Sequence, residues 1–364
     1  MSELPPPPLH SASAAAEADW RARNRSPNFP GDWPRPLARD VCMRAIRIYE
    51  IGGPEVMRFE SVDDPSPGAG EVLVRMESIG VNFIETYFRK GLYKTPLPYT
   101  PGTEGAGTVV AVGHGVSDVA IGDRVASQSF QGSYAELAVV SADKVVRVPE
   151  GVDTKLAGAV MLQGMTAHYL ATSVFPLKAG DRCLVHAAAG GVGLLLCQMA
   201  RRIGAYAIGT VSTDEKATLA RAAGASETIQ YSTQDFVAEV RRITNGAMVH
   251  VVYDSVGATT FLRSMDCLVR RGMLVLFGQS SGPVAPFDPN MLNPKGSLFL
   301  TRPTLAHYVA TRDELLWRAG DVFGWMADGS LSVSVDREVP LVHASEAHRA
   351  LEGRRTTGKV LLVP

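Results

Sequence analysis

Cysteine is scarce in this sequence of 364 residues, which holds only Cys42, Cys183, Cys197 and Cys267. None of them lies close to another along the chain, so the spacing typical of a disulfide-stabilised secreted domain is missing. The sequence also lacks four neighbouring cysteines, the arrangement that holds a structural zinc ion. We therefore expect reduced, buried thiols and a cytoplasmic protein.

Long apolar runs and an excess of one charge are missing as well. No apolar run approaches the length of a membrane helix. The formal net charge is −1 at pH 7, and no basic stripe is visible. We therefore expect neither a membrane nor a nucleic acid as the primary partner. With 46% hydrophobic residues, the chain is long enough for two globular domains.

The first 42 residues show no hydrophobic periodicity. They begin with four consecutive prolines, Pro5 to Pro8, and continue with an alanine- and serine-rich tract and scattered arginines. They lack the apolar segment of a signal peptide, and their acidic residues are atypical of a transit peptide. This composition predicts a disordered N-terminal extension over residues 1–42. Alternatively, Met43 is the natural start of the protein.

Two different patterns follow the extension. From Arg44 to Pro149, short apolar runs separated by glycine turns predict an antiparallel, β-rich domain. From Asp181 onward, strand and helix patterns alternate, which predicts a doubly wound parallel sheet. The predicted strands of this part are 182–187, 206–211, 227–231, 249–254, 272–278 and 297–301. The predicted helices are 153–172, 191–203, 214–223, 233–244 and 258–269. The tail is predicted as a helix at 311–327, a strand near 331–339, a helix at 345–353 and a strand at 359–363.

The most informative segment lies between the first parallel strand and its helix. It contains Ala188, Gly190 and Gly193 in the spacing A-x-G-x-x-G. The second position lets a pyrophosphate approach the backbone, and the third lets the helix pack tightly on the strand. The free N–H groups and the dipole of the helix start favour the phosphates. The strand–turn–helix context therefore predicts a dinucleotide site; a tight structural turn is the alternative.

The end of the second strand distinguishes between the two nicotinamide dinucleotides. NAD-preferring folds place an acidic residue there to bind the ribose 2′-hydroxyl. This chain has Ser212 at that point, followed by Thr213 and, three residues later, Lys216. A small hydroxyl followed by a cation suits a 2′-phosphate, and hence NADPH. Thr213 can also simply cap the next helix, and both interpretations can hold together.

Several further segments resemble one known family. These segments are 80–87, 91–93, 102–107, 162–166, 252–257, 277–282 and 295–303, together with the glycine motif. The chain resembles the zinc-free quinone oxidoreductases of the medium-chain dehydrogenase/reductase superfamily, the group that includes zeta-crystallin. The resemblance covers about residues 43–364 and leaves only the extension outside it.

The resemblance implies an α/β fold in which a GroES-like, β-rich catalytic domain is interrupted by a Rossmann NADPH-binding domain. We expect the first part of the catalytic domain at 43–165, the Rossmann domain at 166–303 and a return to the catalytic domain at 304–364. A homodimer is also implied, and the strand at Ser297–Thr301 is a candidate contact between its subunits.

The resemblance further implies the residues of the site. Asn82, Tyr87 and Tyr93 would face the substrate, and Lys216 and Tyr231 would bind the 2′-phosphate. The full set of implied cofactor-binding residues is Asn82, Thr166, Ala188, Gly190, Gly191, Val192, Gly193, Ser212, Lys216, Tyr231, Phe277, Ser280 and Arg354. Without the resemblance, the tyrosines read as packing residues, Asn82 as a turn and Arg354 as a solvated cation at a helix end.

No metal is expected. Against the zinc dehydrogenases, the position of the catalytic thiolate corresponds to Asn82 and that of the imidazole to Thr103, neither of which is a zinc ligand in those enzymes. The expected function is therefore the reduction of a quinone by NADPH without a metal. One alternative is the reduction of activated C=C bonds in alkenals or enoyl thioesters. Another is a non-catalytic, RNA-binding or lens-type structural role.

Overall fold

The computed structural model describes residues 42–364, and the predicted extension at 1–42 lies outside this range except for its last residue. The strands of the described part are β1 Cys42–Ile48, β2 Met57–Asp63, β3 Glu71–Val81, β4 Gly105–Val112, β5 Arg124–Ser127, β6 Leu137–Ser141, β7 Val146–Arg147, β8 Arg182–Val185, β9 Tyr206–Val211, β10 Glu227–Gln230, β11 Val249–Asp254, β12 Leu268–Leu276, β13 Phe299–Thr301, β14 Val335–Pro340 and β15 Lys359–Val363. The helices are α1 Phe83–Arg89, α2 Thr154–Tyr169, α3 Gly191–Ile203, α4 Asp214–Ala223, α5 Phe236–Ile243, α6 Phe261–Ser264, α7 Arg312–Ala327 and α8 Ala344–Glu352.

A largely antiparallel sheet combines strands from the first half of the described chain with its last two strands. Its strand order is β14-β15-β3-β4-β5-β7, and β6 pairs with β3. The long strand β3 is central because it pairs with β15, β4 and β6, and most of its residues are buried. The last two strands of the chain, β14 and β15, belong to this sheet, so the C-terminal segment returns to the first part of the molecule.

A second sheet of six parallel strands has the order β10-β9-β8-β11-β12-β13. The chain first runs outward from β8 through β9 to β10, and then crosses to the other side of β8 for β11, β12 and β13, so the order reverses between β8 and β11. Ligands of such sheets bind at this switch point, beyond the carboxyl ends of the strands. These two sheets confirm the predicted α/β fold class.

The glycine loop lies next to the returning C-terminal segment. The N–H of Gly358 donates to the carbonyl oxygen of Ala189 at 3.0 Å, and Gly190 and Gly358 form a parallel bridge. This contact brings Gly358 to the start of α3, and the carbonyl oxygen of Arg354, shortly before it, accepts from the Lys216 ammonium on α4. Within residues 42–364, none of the helices combines the length and apolar character that a membrane crossing requires.

Several predicted elements are confirmed with their bounds, including β9, β11, α3, α4 and β15. The predicted helix at 258–269 is wrong at both ends, because only Phe261–Ser264 form α6. Helix α6 ends at Ser264, and β12 begins at Leu268 rather than at residue 272. Arg271 has φ +60°, and the pairing of β11 with β12 shifts register there. The irregularity is a β-bulge within β12. In the sequence, the residues before the bulge resembled the end of a helix and a turn, and only those after it resembled a strand.

The expectation of four buried thiols is also corrected. Cys183, Cys197 and Cys267 are buried, but Cys42 is exposed. The residues of β1 alternate between exposed and buried positions, and Cys42 lies on the outward face. Burial raises the pKa of Cys197 and of Cys267 to about 12, so these two thiols are poor nucleophiles.

The short helix α1 was not predicted, and polar contacts hold it at both ends. At its start the carboxylate of Glu85 accepts from the backbone N–H of Asn82 at 2.8 Å, which satisfies a backbone donor at the helix start. At its end the guanidinium of Arg89, which is fully buried, lies 2.7 Å from a carboxylate oxygen of Glu352 on α8. Nε and Nη1 of Arg89 have no hydrogen-bond partner within the described residues. Among the described residues, the carboxylate of Glu352 is therefore the side-chain partner on which this buried charge depends.

We expect Glu352→Ala to lower the free energy of unfolding by about 3 kcal/mol, because removing one partner leaves a buried charge without compensation. Urea denaturation measures the change. The matched control is Glu346→Ala on the same helix, whose carboxylate is mostly exposed and should matter far less. Equal losses in the two variants would mean that Arg89 does not depend on Glu352.

Candidate active-site cleft

A cavity of about 750 Å³ opens at the carboxyl ends of the parallel strands. Segments that follow β8, β9, β11 and β12 line one side, and residues near α1 and α2 line the other. All but one of the predicted site residues face this cavity, namely Asn82, Tyr87, Tyr93, Thr166, Gly190, Gly191, Val192, Gly193, Ser212, Lys216, Tyr231, Phe277, Ser280 and Arg354. The exception is Ala188, which is completely buried beneath the loop.

The glycine loop forms the floor in the middle of the cavity. Gly190 is the N-cap of α3 and has an extended backbone, so the first N–H groups of the helix are open to the cavity. A Cβ at Gly193 would lie 2.4 Å from the carbonyl oxygen of Ala187 and 2.7 Å from Cα of Ala188. Only glycine allows the helix to start this close to β8. The loop thus offers backbone donors and a helix dipole to an anion.

Two cations lie together at one end of the cavity. Thr213 caps α4 by accepting from the N–H of Lys216 at 3.3 Å, so the capping interpretation is confirmed. The Lys216 ammonium donates to the carbonyl oxygen of Arg354 at 2.9 Å. Burial and the nearby Arg354 guanidinium lower the pKa of Lys216, although Asp336 acts in the opposite direction. Ser212 and Tyr231 complete this corner, which can bind an anion such as a phosphate.

Aromatic side chains form the opposite end. The rings of Tyr87 and Tyr93 meet edge to face with centroids 5.5 Å apart. The hydroxyl oxygen of Tyr87 accepts from the N–H of Gln279 at 3.3 Å, so its own hydrogen is free to donate to a ligand. Burial raises the pKa of Tyr87, which keeps the hydroxyl protonated. This end suits a flat, apolar ring that carries a polar oxygen.

A buried polar network lies behind Asn82. Its side-chain oxygen accepts from the Lys359 ammonium at 2.7 Å, and its amide nitrogen donates to Glu104 at 2.8 Å. Lys359 also contacts Glu104 directly. Glu85 accepts from the backbone N–H of Asn82, and burial raises the pKa of Glu85 to about 7. Lys359, Glu104 and Glu85 are all at most 2% exposed.

This network does not suit a zinc ion. Asn82 and Thr103 supply an amide and a hydroxyl in place of a thiolate and an imidazole. The one fully buried carboxylate beside Asn82, Glu104, is already paired with the Lys359 ammonium, so a cation is present there without a metal. No group of three histidine, cysteine, aspartate or glutamate residues within 42–364 is arranged to hold a metal ion.

Sequence reasoning missed several residues of the site. Gln163 and Arg302 line the cavity, and Glu104 and Lys359 position Asn82 from behind. One signal was visible in the sequence, because Lys359 opens an otherwise apolar strand, Lys-Val-Leu-Leu-Val. A lysine in a central, buried strand requires a partner, but the sequence does not show which carboxylate provides it.

Comparisons with known proteins agree with this geometry. Residues 68–150 match the family model described as alcohol dehydrogenase GroES-like domain, and residues 191–312 match the one described as zinc-binding dehydrogenase. A quinone oxidoreductase of Pseudomonas aeruginosa is 46% identical over 323 residues, which are 88% of this chain and 99% of that protein. A 2-haloacrylate reductase of a Burkholderia species is 43% identical over 89% of this chain and 99% of its own length.

A solved structure is also similar to this chain in both sequence and fold. The crystal structure of Escherichia coli quinone oxidoreductase complexed with NADPH superposes with a TM-score of 0.87 at 43% identity. The alignment covers 88% of this chain and 100% of that one.

Proposed function

This chain belongs to the zinc-free quinone oxidoreductases of the medium-chain dehydrogenase/reductase superfamily, and we propose that it reduces a quinone with NADPH. One observation carries the proposal. The phosphate-binding corner at Lys216 and the aromatic end at Tyr87 line one continuous cavity, with the glycine loop between them. A dinucleotide bound along this path would bring its reactive ring to the aromatic end.

Three parts of the chain would hold the cofactor. Lys216 and Tyr231 would bind the 2′-phosphate, and the open N–H groups at Gly190 to Gly193 would bind the pyrophosphate. Arg354 would cover the nucleotide from the returning C-terminal segment. NADPH, when bound, supplies the hydride. The chain supplies position, orientation and a cleft with little water.

The aromatic end would position the substrate. Tyr87 and Tyr93 present ring surfaces to a flat quinone, and the Tyr87 hydroxyl can donate to a quinone oxygen that gains negative charge. The reduced quinone carries this charge on oxygen, where water can deliver the proton. A dedicated general acid is therefore not needed, and the raised pKa of Tyr87 is compatible with a hydrogen-bond donor that keeps its proton.

Reduction of an activated C=C bond is the second candidate, and the similarity to a 2-haloacrylate reductase favours it. This reaction places a proton on carbon, which requires a well-positioned donor. The Tyr87 hydroxyl lines the aromatic end with its proton free, so it is a candidate for this donor. The two candidates therefore predict different consequences when this hydroxyl is removed.

If the substrate is a quinone, we expect Tyr87→Phe to lower kcat by less than about tenfold, because only an orienting hydrogen bond is lost. An alkene reductase would lose about 100- to 10,000-fold, the usual contribution of a general acid. Steady-state NADPH oxidation with 1,4-quinones, alkenals, enoyl-CoAs and 2-haloacrylates separates the two. A large loss of kcat with unchanged NADPH binding would assign the protein to C=C reduction.

We also propose the organisation of the protein in solution. The catalytic domain would comprise 43–165 and 304–364, and the NADPH-binding domain 166–303. Strand β13 lies at the open edge of the parallel sheet, and Phe299 on it is 57% exposed. Both features support a homodimer that pairs through 297–301. A cytoplasmic location, with no nucleic acid as primary partner, agrees with the unpaired cysteines and the near-neutral charge.

A further inference from the structure

The side-chain amide of Gln163 lies between the two ends of the cavity. Gln163 is on α2 and reaches the glycine loop, where a Cβ at Gly191 would lie 1.8 Å from its Oε1 atom. On the other side, its Nε2 atom donates to Oδ1 of Asn82 at 3.2 Å. The amide is only partly buried and lines the cavity. A ligand that extends from the glycine loop to Tyr87 would therefore pass over it.

Charged neighbours fix the orientation of Asn82. An ammonium can only donate and a carboxylate can only accept. Lys359 therefore requires Oδ1 of Asn82 on its side, and Glu104 requires Nδ2 on the other. Rotating the amide by 180° would place two donors together and two acceptors together. Glu104 is itself held, because its Oε1 atom accepts from the N–H of Leu162 at 2.6 Å.

The orientation of Asn82 determines that of Gln163. Because Oδ1 of Asn82 faces Gln163, the Nε2 atom of Gln163 must face Asn82. Its Oε1 atom is then left on the side of Gly191. The buried ion pair thus fixes an acceptor, rather than a donor, at the middle of the cavity.

We propose that Gln163 binds the nicotinamide-nucleoside half of NADPH through Oε1, and that Lys359 is the positioning residue that fixes this polarity through Asn82. The ribose hydroxyls and the carboxamide of that half are hydrogen-bond donors, whereas the pyrophosphate is not. The proposal rests on the proposed function, because it requires NADPH to lie along the cavity. In this proposal the buried Lys359 determines the orientation of two neutral side-chain amides, those of Asn82 and Gln163.

Direct binding measurements test the contact with Gln163. Calorimetry with NADPH and with 2′,5′-ADP, which lacks the nicotinamide half, separates the two ends of the cofactor. We expect Gln163→Met to weaken NADPH binding about 3- to 10-fold, the value of one neutral hydrogen bond, and to leave 2′,5′-ADP binding unchanged. The matched comparison is Lys216→Ala, which should weaken both ligands. Unchanged NADPH affinity in Gln163→Met would overturn the proposal.

A double variant tests the role of Lys359 without leaving Glu104 as a buried, unpaired carboxylate. In Lys359→Met/Glu104→Gln, the new amide must keep its oxygen on the N–H of Leu162, so its nitrogen faces Asn82. Asn82 and Gln163 should then both rotate, which places a donor over Gly191. We expect NADPH to bind at least about threefold more weakly, with 2′,5′-ADP unchanged and the melting temperature of the free protein close to wild type.

Adding Gln163→Met to this double variant should cause no further loss, because both changes remove the same contact. Additive losses, or equal weakening of NADPH and 2′,5′-ADP, would show that Lys359 acts only on stability and would overturn its positioning role. If the wild-type protein itself fails to bind NADPH, the proposed function is wrong, and that outcome differs from every one above.

Discussion

Lys216→Ala is expected to reduce kcat/KM for NADPH by about 10- to 150-fold and to leave the value for NADH nearly unchanged. The loss corresponds to about 1.5–3 kcal/mol, the range for a hydrogen bond to a charged group. NADH has no 2′-phosphate, so the variant removes a contact that only NADPH makes. Steady-state kinetics with both cofactors at one fixed quinone concentration measure the change.

The structure supports a selective effect because Lys216 is pre-positioned and forms no ion pair within residues 42–364. Its ammonium donates to a backbone carbonyl, that of Arg354, and burial lowers its pKa. A phosphate dianion would therefore find a cation that is already oriented and partly desolvated. The Thr213 cap fixes the backbone of the lysine at the first turn of α4, so truncating the side chain should not disturb the helix.

Arg221→Ala is the matched control, because Arg221 lies in the last turn of the same helix and is exposed away from the cavity. It removes one positive charge from α4 without removing the proposed contact. Equal losses with NADPH and NADH in Lys216→Ala would show that the lysine is structural. A similar loss in Arg221→Ala would show that the general field of the helix, rather than the contact, favours NADPH.

Elements with local end signals could be predicted from the sequence. Helix α3 follows the glycine motif and is capped at its C-terminus by Gly204, and α4 starts after Thr213 and is capped by Gly224. Both terminal glycines adopt the left-handed conformation, which is typical of a helix C-terminus. Where such signals were absent, the prediction failed. Helix α1 has only seven residues, too few for a clear periodicity, and the bulge at Arg271 imitated a turn.

The nucleotide corner was predictable for the same reason, since its loop and helix start are contiguous in sequence. The network behind Asn82 was not, because its members come from distant parts of the chain. Lys359 lies 277 positions from Asn82, and Glu104 lies 22 positions from it. Taken singly, a lysine and a glutamate read as solvated surface charges. The antiparallel pairing of β15 with β3 brings Lys359 to the end of β3. Asn82 is the first residue after that strand.

The second large effect is expected from Lys359→Met, which should lower the free energy of unfolding by about 3–5 kcal/mol. This is the usual cost of removing one partner of a buried ion pair. Lys359 is 1% exposed and Glu104 is fully buried, so water cannot replace the ammonium. Urea denaturation of the whole chain, followed by circular dichroism, measures the loss.

Two comparisons determine whether burial is the cause. Lys155 and Glu338 form an exposed ion pair at 2.8 Å, and surface pairs contribute little to stability. Lys155→Met should therefore change stability far less than Lys359→Met. Glu104→Gln combined with Lys359→Met should recover most of the loss, because the remaining amide is neutral and keeps the hydrogen bond to Leu162. If Lys359→Met costs no more than Lys155→Met, the carboxylate of Glu104 does not need the ammonium of Lys359 as its partner. The orientation of Asn82 would then no longer be fixed by charge, and the positioning role of Lys359 would fail with it.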